Sequence, residues 1–128
     1  MTTPDPLGSI VWRDLTVANA EQICEFYRDV VGWKSTPVKV GEYHDFNMHA
    51  EGDEDGTAGI CHAQGANANL PAQWLIYITV PSVEDAANRC RELGGKVLDG
   101  PRSLGSRLFC VIQDPAGAVC ALIEPPAS

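Results

Sequence analysis

Leu15-Thr16-Val17-Ala18-Asn19-Ala20-Glu21 and Ile78-Thr79-Val80-Pro81-Ser82-Val83-Glu84 decide the fold, because the second stretch repeats the first at an offset of 63 residues. The correspondence runs on through a helix-length segment to Gly32 in one copy and Gly95 in the other. Later, Asp55-Gly56 falls where Pro115-Ala116-Gly117 stands in the second half. A period of about half the chain indicates a duplicated supersecondary unit and not a solenoid of short repeats.

Each copy opens on an alternating strand, Ile10 to Val17 and then Trp74 to Val80. Asn19 and Ser82 follow as N-cap residues, with Glu21 and Gln22, or Glu84 and Asp85, in the first turn, where negative charge and acceptors suit exposed amides. Ile23, Phe26, Tyr27, Val30 and Val31 recur at helical spacing in the first copy, as do Ala86, Ala87, Cys90 and Leu93 in the second, so each helix should pack one face on a sheet. Gly32 and Gly94-Gly95 supply the left-handed stops. Three strands are expected after each helix: Ser35 to Val40, Tyr43 to His49 and Thr57 to Ala63, then Lys96 to Asp99, Arg107 to Gln113 and Ala118 to Glu124. The unperiodic stretch Gly65 to Gln73 serves as a linker. The expectation is therefore one α+β domain over residues 1–128, with βαβββ modules at about 8–64 and 74–125. Together they would form a curved eight-stranded mixed sheet, a cup with the helices on its outer face. The free inner face is where function should sit.

Composition narrows the partners. The 128 residues carry nine Lys+Arg against seventeen Asp+Glu, and the net charge of -8 repels nucleic acid and anionic lipid. No apolar run approaches the roughly 20 residues that span a bilayer. Met1 to Leu7 has neither a basic n-region nor an apolar h-region and reads as a frayed tail, not a signal peptide. Cys24, Cys61, Cys90, Cys110 and Cys120 are odd in number and widely spaced, which favours free thiols and a cytoplasmic location.

The phrases Asp14-Leu15-Thr16-Val17-Ala18-Asn19-Ala20-Glu21, Phe26-Tyr27-Arg28-Asp29-Val30-Val31-Gly32-Trp33 and Asp114-Pro115-Ala116-Gly117 carry a family likeness. Together with the duplication, they make the chain resemble the glyoxalase/bleomycin-resistance/dioxygenase (vicinal oxygen chelate) superfamily from about Ile10 to Pro125. Enzymes of that family place His or Glu ligands around one divalent metal on the cup-facing strands. The resemblance maps those positions to Trp12, Ile60, Leu75 and Ala121, none of which is a metal ligand. A slip of one residue would offer Arg13, Trp74 or Cys120. The resemblance therefore implies the metal-free branch, with no cofactor, a small-molecule ligand held in the cup, and a homodimer. Two alternatives stay open. One is an enzyme of the same fold, a lyase, isomerase or dioxygenase using a divalent metal or acid-base residues. The other is a non-catalytic structural or regulatory domain.

Strand alternation nominates the lining. If Leu15 and Val17 face the helix, then Trp12, Asp14 and Thr16 face the cup, joined by Tyr77 and Thr79 from the second copy. Trp12, Asp14, Thr16, Ile60, His62, Leu75, Tyr77 and Ala121 are thus the candidate ligand-binding residues, and Asp14, His62 and Tyr77 the candidate acid-base groups. Trp12 and Tyr77 could equally plug the cup, and Asp14 could pair with Arg13, Arg102 or Arg107. Two histidines with Asp45 or Asp14 could form a noncanonical site. His44 and His49, five apart, face opposite sides of one strand. Glu51 to Gly56 lacks the spacing of a calcium loop and reads as a hairpin turn. Gly100 to Gly105 also reads as a turn, since it matches neither nucleotide fingerprint.

Overall fold

The computed structural model describes residues 5–126, so the first four residues of the expected frayed tail lie outside the described residues. The element order is β1 (Ile10–Val17), α1 (Ala20–Val30), β2 (Lys34–Val40), β3 (Tyr43–His49), β4 (Ala58–His62), β5 (Trp74–Thr79), α2 (Val83–Glu92), β6 (Lys96–Leu104), β7 (Arg107–Gln113) and β8 (Val119–Ile123). A single turn of 3-10 helix, Gly65–Asn67, interrupts the linker. This is βαβββ twice, the α+β class expected. The chain divides into two compact units, Arg13–Trp74 and Met1–Trp12 with Leu75–Ser128, the boundary falling within β1.

In the first unit the strands lie in the order β2-β3-β4-β1. Strand β1 is parallel to β4, while β3 runs antiparallel to both β2 and β4. Leu15, Ala20, Cys24, Met48 and Ile60 form its core, with Val17, Ile23, Tyr27, Trp33, Phe46 and Trp74 packed around them. Tyr27 stacks on Trp33 at 5.8 Å and accepts a hydrogen bond from the Trp74 indole at 3.2 Å. The buried stripe of α1 is Ala20 and Cys24. Phe26, Val30 and Val31, expected on that stripe, are instead exposed. Residues 20, 23, 24 and 27 already fill the arc a helix presents to a sheet, so 26, 30 and 31 rotate away from it.

In the second unit the order is β5-β8-β7-β6, with β5 parallel to β8 and the remaining pairs antiparallel. Its helix-side core is Val83, Ala87, Cys110 and Leu122, joined by Ile78, Val80, Ala86, Val97, Leu108 and Ile112. Leu93, expected on the packed face of α2, is 61% exposed. Gly95 is required here by close approach, because a Cβ would sit 2.5 Å from the Cys90 sulfur and 2.8 Å from the Gln113 carbonyl. Of the expected turn at Gly100 to Gly105 only Gly105 lies in a turn, the one that joins β6 to β7. Strand β6 runs through it to Leu104, and register shifts between Val97 and Asp99 and between Asp99 and Arg102 absorb the glycine and proline. The hairpin at Glu51 to Gly56 is a turn as expected. Asp53 closes it, accepting from the Gly56 amide at 3.2 Å and the Thr57 hydroxyl at 2.8 Å.

Candidate functional site

Strand register assigns the faces. In the first unit Leu15 lies beside Ile60, and Phe46 faces Ile60 from β3, so all three share the α1 side. The opposite face is polar: Asp14 beside Gly59, Thr16 beside Cys61, and Asn47 facing Gly59. Asp45, two residues from Asn47, joins it. The Cys61 thiol lies on this face, beside Thr16. Burial pushes its pKa up, and the negative charges of Asp14 and Asp45, with a hydrogen bond to the Asp45 carboxylate, push it further. Both causes disfavour the Cys61 thiolate.

Ile60 and His62, expected in the cup, are placed differently. Ile60 is 0% exposed within the α1-side core. His62 lies beside Val17 in the register, on that same side, and borders a cleft at the start of α1. Its backbone amide donates to Asp45 Oδ1 at 2.9 Å, and its Nδ1 lies 3.2 Å from the same oxygen. The rings of Tyr43 and Phe46 pack beside it at 4.9 Å and 6.5 Å. The face was misassigned because repeat symmetry alone does not say which side of β4 meets the helix; the pairing of Ile60 with Leu15 does. Asp45 is therefore a hinge between faces, held by His62 and reaching Cys61. His44 and His49 diverge as expected, His44 bordering the cleft of Glu21, Cys24 and Phe46, and His49 bonding Thr36 at 2.9 Å.

In the second unit the face away from α2 is apolar and packed. Leu75, Tyr77 and Ala121 are 1%, 5% and 0% exposed, and Thr79, Phe109, Val111 and Ile123 beside them are also buried. Tyr77 stacks on Phe109 at 6.4 Å, and the Arg102 guanidinium lies 4.5 Å over the Phe109 ring while bonding Asp99 at 2.8 Å. The two copies thus use equivalent sheet faces for opposite chemistry, polar in the first and apolar in the second.

A metal does not fit the positions that the resemblance assigns to ligands. Trp12 offers only an N–H donor, and Ile60, Leu75 and Ala121 offer no lone pair. Among the described residues no three His, Cys, Asp or Glu side chains gather as a metal-holding group.

The family model described as Glyoxalase/Bleomycin resistance protein/Dioxygenase superfamily matches residues 7–122. The chain belongs to this superfamily. Among curated proteins it is similar to "Putative glyoxylase CFP32" of Mycobacterium tuberculosis, 24% identical over 125 residues, which are 97% of this chain and 47% of that protein. The chain thus spans about half the length of the curated relatives it matches. Solved structures of the superfamily fold resemble it throughout. A methylmalonyl-CoA epimerase of Streptomyces coelicolor in complex with 2-nitronate-propionyl-CoA is 18% identical at a TM-score of 0.58, covering 95% of this chain and 100% of that one. A superfamily member from Vibrio splendidus 12B01 is 13% identical at a TM-score of 0.59, covering 88% and 96%. At these identities the likeness establishes the fold. No helix among the described residues is long and apolar enough to cross a membrane.

Proposed function

We propose that this chain binds a small cationic molecule on the polar sheet face of its first module, without a metal. The observation that carries the reading is the strand register, which sets Asp14 of β1 and Asp45 of β3 on the same polar sheet face as Cys61. Two carboxylates beside a desolvated thiol create a negative potential that a cation relieves. Asp14 and Asp45 together are the counter-charges of this reading. Thr16, two residues on from Asp14 along β1, supplies a hydroxyl. The net charge of -8 favours the same sign of ligand. The superfamily resemblance adds a homodimer to this reading, and the free cysteines a cytoplasmic location.

The test is a thermal-shift and calorimetric screen of aromatic amines against matched aromatic acids, on protein whose metal content has been measured by mass spectrometry. Amines should bind, and Asp14→Asn should weaken them about tenfold or more, as expected when a charged hydrogen-bond partner is lost. Equal response to acids and amines, or binding indifferent to Asp14→Asn, defeats the reading. About one equivalent of tightly held transition metal also defeats it. A second reading, an enzyme of the same fold, is favoured by one observation: Asp45 orients the His62 imidazole through Nδ1, an arrangement suited to acid-base work.

A further inference from the structure

The two helices are anchored differently. At α2, Ser82 Oγ accepts from the Asp85 amide at 3.2 Å, and Glu124 Oε2 accepts from the Val83 amide at 2.9 Å. At α1 the Asn19 side chain caps nothing and donates instead to Gln22 Oε1 at 3.0 Å. Thr16 pairs with Cys61 as Thr79 pairs with Ile123, so His62 occupies the place that Glu124 holds in the second copy. The start of α2 is thus tied to the end of β8, and the other end of the helix carries a thiol, Cys90.

Helix α2 runs back along β8 from that tie. The stretch from Val83 to Cys90 rises about 10 Å, a length that about three strand residues cover, so Cys90 comes level with the first residues of β8, where Cys120 stands. Cys120 shares the α2 side with Leu122, two residues on, and pairs with Ile112 of β7. The Cys90 sulfur reaches into the same corner. It donates to the Lys96 carbonyl at 3.7 Å and packs on Gly95, which lies against the carbonyl of Gln113, the residue after Ile112. Both thiols are half-buried, whereas Cys110 is 0% exposed. Cys110 and Cys120 are diagonal neighbours held in the β7–β8 ladder, with Cα atoms about 7 to 8 Å apart, beyond the usual reach of a disulfide. Cys90 is not so held, since α2 ends two residues after it. At the matching places the first copy has Tyr27 and Ala58, so the thiol pair belongs to the second copy alone.

We propose that Cys90 and Cys120 form a reversible disulfide when a peroxide reaches them, a clasp that ties the end of α2 to the start of β8. Burial disfavours the thiolates of Cys110 and Cys120, and the Asp114 charge adds to this at Cys120, so Cys90 is oxidised first. The peroxide transfers one oxygen to the Cys90 sulfur and leaves as water or an alcohol. The Cys120 sulfur then displaces the hydroxyl of that sulfenic acid, and its own proton leaves with the hydroxyl as water. The two thiols lose two electrons, which the O–O bond of the peroxide takes up. A transient bond of this kind suits the reducing compartment that free cysteines imply. The clasp lies on the α2 side of the second module and does not depend on the cationic-ligand reading of the first.

Intact and peptide mass spectrometry of the reduced full chain, treated with hydrogen peroxide and alkylated without reductant, tests the clasp. One bond per chain should form, joining the peptides of Cys90 and Cys120 and opening again in dithiothreitol. The melting temperature should rise by several degrees, as expected for closing a loop of about 30 residues. Cys90→Ser and Cys120→Ser should each abolish the bond, while Cys110→Ala and Cys24→Ser should keep it. The peptide map of the unaltered chain decides the pairing even where a variant folds poorly. Five free thiols after peroxide, a bond mapped to another pair or only between chains, or a bond that survives in Cys120→Ser would each overturn the proposal.

Discussion

Replacing Ile60 with alanine is the sharpest check on the assignment of sheet faces, because the residue was first expected to line a ligand cup and the register places it in the core. Its side chain is 0% exposed, with Leu15 on one neighbouring strand, Phe46 on the other, and Ala20 and Cys24 of α1 in the same core. Buried aliphatic truncations of this kind cost about 2 to 5 kcal/mol, and the rigid neighbours on three sides leave little room for collapse, so a loss of about 3 to 4 kcal/mol is expected. With an unfolding entropy of roughly 2 cal/mol/K per residue, that loss lowers the melting temperature by about 10 to 15 °C. Urea unfolding followed by tryptophan fluorescence reads the change directly, since Trp33 and Trp74 pack on the same core. Cys61→Ala, one residue on and across the sheet, is the comparison and should cost about 1 kcal/mol. A loss below about 1 kcal/mol for Ile60→Ala, with ligand binding altered instead, would refute the core placement.

Two further outcomes follow from the geometry. Gly95→Ala should cost more than about 2 kcal/mol in chemical denaturation, through overpacking against Cys90 and Gln113; a cost within about 0.5 kcal/mol would show that the helix end can move aside. Alkaline pH should destabilise the chain through its buried thiols. Burial pushes Cys110 from 9.0 up to about 11 and Cys61 up as well, so the folded state keeps protons that the unfolded state releases. Stability is then full below pH about 9 and falls as pH rises toward the folded values, a slope that Cys110→Ala should flatten in urea titrations at pH 8 and 10.

The repeat made the architecture legible, because a 63-residue offset that preserves strand, cap and helix leaves little choice of topology. Three local readings failed for physical reasons. Helical spacing marked Phe26, Val30 and Val31 with Ile23 and Tyr27 and passed over Ala20 and Cys24, because only packing decides which of two overlapping stripes meets the sheet. Gly100-Pro101 has turn composition, yet a bulged strand accepts both residues. Asn19 has the chemistry of a cap, but its amide found Gln22 first. At the candidate site, alternation correctly separated Leu15 and Val17 from the face of Asp14 and Thr16. The side of β4 that carries Ile60 and His62 needed pairing information that no single strand contains. The exchange of His62 for Glu124 was visible only once register aligned the copies, since the loops between them differ by one residue.

The unequal helix starts also bear on how the molecule breathes. Helix α2 is pinned at its first amide by the carboxylate of Glu124, the residue just after β8, so its opening turn cannot loosen without disturbing that strand's end. Among the described residues helix α1 has no such pin, and it depends on Ala20 and Cys24 to keep its first turns seated. Hydrogen exchange at α1 should therefore begin from its leading end by local fraying, while the start of α2 waits for a larger, cooperative opening. One duplicated unit thus holds a soft helix entrance and a firm one, distinguished by whether a carboxylate at the end of the closing strand reaches the first helix amide.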